Sequence, residues 1–311
     1  MSAPAWTAED IPGLHGRRAL VTGVTGDLGR ETARELARAG AHVTLTGRDQ
    51  ARLAESARRI TDDVADARLD TVLLDLADLS SVRQGAERVL ESTDTLDILV
   101  NNAGVMATPP RRTADGFELQ LGTNHFGHFT LTALLMPALA GARVVTVSSQ
   151  MHRAALRAPL GDPREHRRYR KWVAYGESKL ANLLFMRELD RRARAAGLSL
   201  TSVAAHPGYA STHLQTSGPQ LGGESLSSRV MAAATPLLGQ PPRMGALPSL
   251  YAATYPGLPG GTYVGPSRWM EMRGTPKIVA MSRAARDEQA AARLWELSEQ
   301  ATGVTFLSSV T

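Results

Sequence analysis

A tyrosine and a lysine stand four residues apart in Tyr175-Gly176-Glu177-Ser178-Lys179. On a helix that spacing puts both side chains on one face, within reach of a shared ligand. A free phenol, with a pKa of about 10, is a poor acid or base at neutral pH. A nearby ammonium favours the phenolate and lowers that pKa, which suits the pair to acid–base work. Taken alone, the pair also reads as an exposed aromatic–lysine contact. Lysine is scarce here, since Lys171, Lys179 and Lys277 are the only ones, and this sets Lys179 apart from an arginine-rich background. Two more polar groups adjoin apolar runs. Val147-Ser148-Ser149 closes one such run, and a hydroxyl at the carboxyl end of a strand can hydrogen-bond and polarise a carbonyl oxygen. Asn124, in Gly122-Thr123-Asn124-His125, puts a poor helix former into a helical pattern, which suits either a polar task or an ordinary helix position.

A second group of residues could hold a dinucleotide. Thr22-Gly23-Val24-Thr25-Gly26-Asp27-Leu28-Gly29 follows an apolar run and opens a helical one. Backbone N–H groups of such a turn can approach a pyrophosphate, and the helix N-terminus adds partial positive charge. Gly23, Thr25, Gly26, Asp27, Leu28 and Gly29 are therefore cofactor candidates, although three glycines also make ordinary tight turns. At the end of the next strand an acidic residue would bind a ribose 2′-hydroxyl and favour NAD. The chain has Thr46-Gly47-Arg48 instead. A guanidinium there can pair with a 2′-phosphate, so Arg48 points to NADP(H), against the plainer reading of a surface arginine. Asp75 could accept from an adenine amino group while Leu76 packs on the ring. Asn101-Asn102-Ala103-Gly104 would let the backbone pass close to the cofactor through Asn102, Ala103 and Gly104, or could simply form a turn.

These groups need a scaffold. Arg18–Thr22, His42–Thr46, Thr71–Leu74, Leu96–Val100, Arg143–Val147 and Leu200–Ala204 read as strands. Helical patterns lie between them: Leu28–Ala39, a stretch ending at Ile60, and residues 80–91, 115–138 and 173–196. The alternation implies βαβ units with right-handed crossovers. The fold class predicted is α/β, a doubly wound parallel sheet (Rossmann fold) in three α/β/α layers. Residues 1–311 are read as a single domain. Residues 207–248, rich in Gly, Pro and Ser, are read as a mobile substrate cap within it. Pro259–Val264 could be a last strand, and Arg283–Thr302 a terminal helix stopped by Gly303.

Composition narrows the function classes. Hydrophobic residues make up 43% and charged residues 21% of 311, which are ordinary globular proportions. The absence of cysteine excludes disulfides, thiolate metal sites and cysteine nucleophiles, and no metal site is predicted. The net charge of +5 comes from scattered arginines with few aromatics, so no nucleic-acid partner is expected. No run reaches the ~18–20 apolar residues of a membrane span, and Met1–Gly16 lacks the features of a signal peptide. A cytoplasmic protein without a membrane partner is expected.

In their order, these motifs resemble the short-chain dehydrogenase/reductase superfamily over about residues 17 to 303. The run is the glycine turn, Asp75-Leu76, Asn-Asn-Ala-Gly, Asn124, Ser149, Tyr175 with Lys179, then Pro207-Gly208 with Thr212. The resemblance implies a catalytic tetrad of Asn124, Ser149, Tyr175 and Lys179. It implies that Tyr175 and Lys179 also touch the cofactor, Lys179 through the nicotinamide ribose. Asn124 would hold a relay water. Pro207, Gly208 and Thr212 would lie at the nicotinamide end, Thr212 on the carboxamide. Asn124-His125-Phe126-Gly127-His128-Phe129, Ser178-Lys179-Leu180-Ala181-Asn182, His206-Pro207-Gly208 and the long Ser149–Tyr175 gap resemble the retinol dehydrogenase and WW-domain oxidoreductase branch. That branch prefers NADP, in agreement with Arg48.

Three departures qualify the resemblance. Glycines at 23, 26 and 29 have the spacing of extended, epimerase-like members, and Asp27 puts a carboxylate near the pyrophosphate unless it caps the helix. The membrane segment of animal retinol dehydrogenases is missing, so a membrane-borne retinoid is not implied. The cysteine of protochlorophyllide reductase is missing too. The implied reaction is hydride transfer between NADP(H) and a carbonyl or alcohol carbon of a small molecule, with Ser149 and Tyr175 on the substrate oxygen. A NAD-retaining epimerase or dehydratase and a non-catalytic dinucleotide sensor are the alternatives. The family places its substrate between segment 105–113, insertion 150–174 and the cap. Arg153, Arg157, Arg164, Arg167, Arg168, Arg170 and Lys171 make the insertion basic, either for an anionic substrate or as a solvated loop. Met106, Trp172, Tyr209 and Leu214 could be apolar walls. A homodimer or homotetramer is expected, with Leu180, Leu183, Leu184 and Met186 as interface or core.

Overall fold

The computed structural model describes residues 5–165, 169–209 and 240–307. Eight strands form one sheet in the order β3-β2-β1-β4-β5-β6-β7-β8. β1 (Arg18–Thr22), β2 (His42–Gly47), β3 (Arg68–Leu73), β4 (Ile98–Asn101), β5 (Arg143–Val147), β6 (Thr201–Ala205) and β7 (Tyr263–Arg268) are parallel. β8 (Arg273–Ile278) runs antiparallel to β7.

Side chains alternate across each strand, and both faces are covered, so the central strands are buried and mostly apolar, with threonines such as Thr44 and Thr146 among them. Ala19, Val21, Val43, Leu45, Val145 and Val147 face α1 (Asp27–Arg38), α2 (Gln50–Asp63) and α7 (Pro242–Thr254). Leu20, Leu99 and Val144 face α3 (Leu79–Ser92), α5 (Gly127–Leu135), α6 (Lys171–Ala195) and Trp295 of α8 (Glu288–Thr302). The predicted three layers result. The chain winds outward from β1 through β2 to β3, then crosses to β4 on the other side of β1. The reversal opens a crevice beyond the carboxyl ends of the strands, where open α/β sheets bind ligands.

Several expectations change in detail. The segment read as one helix over 115–138 is broken into α4 (Leu119–Leu121), a π-helical turn at Gly122–Phe126, α5, and a 3-10 turn at Met136–Ala138. Its start is delayed because the Glu118 carboxylate accepts from Gln120 N and Leu121 N at 2.9 and 2.7 Å and caps it there. β8 was not anticipated, since Arg-Gly-Thr-Pro-Lys-Ile has a poor strand composition. Its position at the edge of the sheet admits Pro276. α8 starts at Glu288 rather than Arg283 because Asp287 accepts from Ala290 N at 2.9 Å. Gly303 ends it with φ 67°. Of the segment read as a cap, residues 210–239 lie outside the described residues. Residues 242–248 open α7, whose Leu247 and Leu250 are buried in the core beside α1. Leu180, Leu183, Leu184 and Met186 are buried against Leu294 and Ala291 of α8, so the core takes them rather than an interface.

Candidate active site

The nucleotide residues converge first. Gly23, Thr25, Gly26, Asp27, Leu28, Gly29, Arg48, Asp75, Leu76, Asn102, Ala103 and Gly104 line one groove of about 230 Å³. All follow the carboxyl ends of β1 to β4. Gly26 is the N-cap of α1 and supplies no side-chain cap, which leaves first-turn N–H groups for an anion. A Cβ on Gly29 would come within 2.5 Å of Gly23 O and 2.6 Å of Asn102 Nδ2, so the turn can close this tightly only with glycine. Asn102 Nδ2 donates to Thr22 O at 2.7 Å, and this bond fixes the second wall of the groove. Asp27 is not the cap. It is the first residue of the helix and pairs with Arg30 at 2.8 Å, which balances its charge. Asp75 Oδ1 accepts from Ala77 N at 2.9 Å, and Leu76 is buried. The groove, its backbone donors and its basic end fit a dinucleotide.

Arg48 is exposed at the far end of the groove. The structure adds a second guanidinium that sequence reasoning missed. Arg52, one helical turn into α2, lines the same groove and donates through Nη2 to Thr25 O at 3.2 Å. No helical spacing signalled it, because Arg48 precedes the extended N-cap Asp49 of α2 and so shares no helix face with Arg52.

The four polar residues expected to do chemistry also meet. Tyr175 and Lys179 lie near the start of α6, and both are buried. Ser149 follows β5, where its Oγ accepts from Met151 N at 3.2 Å, and its side chain lies near enough to the Tyr175 phenol to favour the phenolate. Asn124 sits inside the π turn. Such turns are frequent at functional sites. Its Oδ1 accepts from Val105 N at 2.7 Å, and its Nδ2 donates to Val105 O at 3.0 Å and to Ser178 Oγ at 2.9 Å. The side chain is thus fixed by protein groups. A Cβ built on Gly104 would lie 3.1 Å from Asn124 Oδ1 and 3.4 Å from Lys179 Nζ, so the wall of the groove adjoins this centre. Tyr175 packs with Met106, Ala107, Met151 and Trp172.

Supporting residues were visible only as parts of motif strings. Lys179 Nζ donates to Val147 O at 3.1 Å, and Asn182 Nδ2 donates to the same carbonyl at 3.0 Å. Ser148 Oγ donates to Lys179 O at 2.8 Å. His128 Nδ1 bonds Asn124 O at 3.0 Å and its Nε2 bonds Thr22 Oγ1 at 2.9 Å. Thr22 Oγ1 also accepts from Asn102 N and Ala103 N, each at 2.9 Å. The broken helix is thereby tied to both nucleotide turns.

Electrostatics depart from expectation. Burial pushes the Tyr175 phenol up to about 12, with the Ser149 hydroxyl pulling the other way. Burial draws the Lys179 ammonium down to about 8. The predicted lowering of the phenol by the ammonium is absent because desolvation dominates, while Nζ stands 5.8 Å from the ring centroid.

The substrate region differs too. Segment 105–113 and the insertion do enclose a cavity of about 340 Å³, but its lining includes Val173, Ala174 and Glu177 rather than Ser149 or Tyr175. The basic insertion is partly spent on tethering. Arg164 donates to Asp115 O and Ala301 O, each at 3.2 Å, and lies 4.4 Å over the Phe117 ring. Arg167, Arg168, Thr212 and Leu214 lie outside the described residues, whereas Pro207 and Gly208 follow β6.

With this geometry the comparisons agree. The family profile described as short chain dehydrogenase matches residues 17–220. The chain belongs to the short-chain dehydrogenase family and is an oxidoreductase. It is 38% identical to retinol dehydrogenase 14 of Mus musculus over 309 residues, covering 94% of this chain and 88% of that protein. It is also 38% identical to polyprenol dehydrogenase of Mus musculus over 306 residues, covering 94% and 86%. A crystal structure of an uncharacterised protein from Mycobacterium paratuberculosis is similar with a TM-score of 0.80 at 43% identity, covering 97% of this chain and 99% of that one.

Proposed function

We propose that the protein transfers hydride between NADP(H) and a carbonyl or alcohol carbon of a small molecule, with Asn124, Ser149, Tyr175 and Lys179 as its catalytic tetrad. The observation that carries this reading is the meeting of Ser149, Tyr175 and Lys179 beside a dinucleotide groove whose far end holds Arg48 and Arg52. Two relatives are named for retinol and polyprenol, both alcohols, which supports chemistry at a CH–OH carbon. The paired guanidiniums support NADP(H) over NAD(H) through charge-assisted bonds to a 2′-phosphate.

Bound NADP(H) supplies or accepts the hydride. The protein's part is to hold and protonate the substrate oxygen. The neighbouring Ser149 and Tyr175 hydroxyls receive that oxygen. Tyr175 keeps its proton at neutral pH because burial raises its pKa to about 12, and it donates the proton as the carbonyl oxygen becomes an alkoxide. Lys179, an ammonium at neutral pH with a pKa drawn down to about 8, would hold the nicotinamide ribose hydroxyls of the bound cofactor. The Asn124 carbonyl offers a site for a water that returns the proton. In the opposite direction Tyr175 accepts the alcohol proton. A homodimer or homotetramer remains part of the proposal, and sedimentation tests it.

The functional test is a panel of carbonyls and alcohols followed by NADPH absorbance. Turnover is expected with NADPH, and Tyr175→Phe should abolish it. Arg48→Ala should raise the KM for NADPH by about tenfold or more, as expected for a lost charge-assisted bond, with little change for NADH. Near-normal turnover by Tyr175→Phe on a true substrate would refute the mechanism. Equal use of NADH and NADPH would refute the cofactor assignment.

A further inference from the structure

Glu271 stands at the tip of the β7–β8 hairpin, in a stretch where the sequence showed no chemistry. Trp269, Met270 and Glu271 all have left-handed backbone, with φ of 53°, 52° and 65°. Residues with a Cβ disfavour that region, and a run of them persists only where surrounding contacts over-determine it.

Glu271 makes such contacts in two directions. Toward β5, Gln150 Nε2 donates to Glu271 Oε2. The Gln150 amide is oriented in turn by Arg153 Nε, which donates to Oε1 at 2.8 Å. Toward β6, His206 Nε2 stands 3.2 Å from the same carboxylate oxygen. His206 Nδ1 accepts from Gly208 N at 3.2 Å, so the neutral ring carries its proton on Nε2, facing Glu271. A main-chain bond from Tyr209 N to Met272 O, at 2.9 Å, fastens the hairpin to the same loop.

The two attachments reach different parts of the site. Gln150 immediately follows Ser149, whose carbonyl also accepts from His152 Nδ1 at 2.7 Å. His206 immediately precedes Pro207-Gly208. We propose that Glu271 is a positioning residue that ties the Ser149 loop to the Pro207-Gly208 loop, so that the substrate-oxygen donor and the nicotinamide end share one frame. The inference rests on the roles proposed above for Ser149 and Pro207-Gly208. Gln150 Nε2 donates to Oε2, His206 Nε2 approaches the same oxygen at 3.2 Å without completing a hydrogen bond, and neither group is charged at neutral pH. The tie therefore depends on acceptor geometry more than on net charge. Among the described residues, the cation paired with Glu271 is Arg153, whose Nη2 is 3.9 Å from the other oxygen.

That distinction supplies the test. Glu271→Gln can present its amide oxygen to both groups, while Glu271→Ala presents nothing. With NADPH and an active carbonyl, Glu271→Ala should lower kcat about tenfold or more, because small misplacements of reacting groups are costly. Its KM for NADPH should stay within about threefold, since Arg48 and the glycine turn lie at the other end of the groove. Glu271→Gln should restore most of kcat. Amide hydrogen exchange, read without substrate, should quicken over residues 148–153 and 206–209 in Glu271→Ala and much less in Glu271→Gln. Faster exchange in only one loop would overturn the proposal, and so would equal behaviour of the two variants. If the wild-type protein showed no turnover with NADPH, the functional reading would fall, and the exchange measurement would still decide the coupling.

Discussion

Lys179 is 3% exposed, and burial draws its pKa from 10.5 down to about 8. At about 1.4 kcal/mol per pKa unit, keeping this ammonium inside costs the folded protein about 3 kcal/mol. The folded state loses the proton near pH 8 and the unfolded chain near 10.5. Between those values the unfolded chain binds more protons, so stability rises with pH across that window, while below pH 8 the cost is complete. Lys179→Met removes the charge but keeps an unbranched side chain. It also loses the bond to Val147 O, though that carbonyl retains Asn182 Nδ2 at 3.0 Å. The lost bond offsets about 1 kcal/mol. The variant should therefore be more stable than wild type by about 2 kcal/mol at pH 7 and should lose that advantage by about pH 10. Equilibrium urea unfolding of both proteins at the two pH values measures this. Comparing variant with wild type cancels groups that titrate in both, such as Tyr263, which burial pushes up. An advantage equal at both pH values would refute the buried-charge argument, as would a wild type more stable at pH 7. The same variant should be inactive, so a residue that weakens the fold would have been kept for chemistry.

Two further outcomes follow from the site. For wild type, kcat/KM for NADPH should fall as pH rises through about 8, because Lys179 loses there the charge proposed to hold the cofactor; a profile flat to about pH 10 would count against that role. Gly29→Ala should weaken NADPH binding about tenfold or more in a fluorescence titration, because its Cβ would displace the wall on which a pyrophosphate rests, meeting Gly23 O at 2.5 Å; unchanged affinity would show that the turn relaxes without loss.

The sequence exposed those parts of this site whose cause is local. β1 and β5 are legible because a strand buried on both faces reads as a near-continuous apolar run, as in Ala19–Val21 and, interrupted only by Thr146, Val144–Val147. The cofactor residues are legible because they stand directly beyond those runs. Asn124 was visible as an odd residue in a helix, but the π turn around it was not, since one extra residue per turn barely disturbs an apolar pattern. The pKa of Tyr175 was misjudged for a different reason. Spacing places the ammonium near the phenol but says nothing of the surrounding dielectric, which comes from Met106, Ala107 and Trp172 packing on the ring. Charge in the insertion was equally plain, yet Arg164 is spent on Ala301 O, 137 residues away. Thr22 and His128, 106 residues apart, and Gln150 and Glu271, 121 apart, belong to the same class. Such bonds leave no periodic trace because each depends on a single pair of side chains brought together only by the finished sheet. Reactive residues sit at strand ends, where local pattern reveals them. The residues that hold them in place come from wherever the fold returns a segment to the crevice, and for those the sheet order has to be known first.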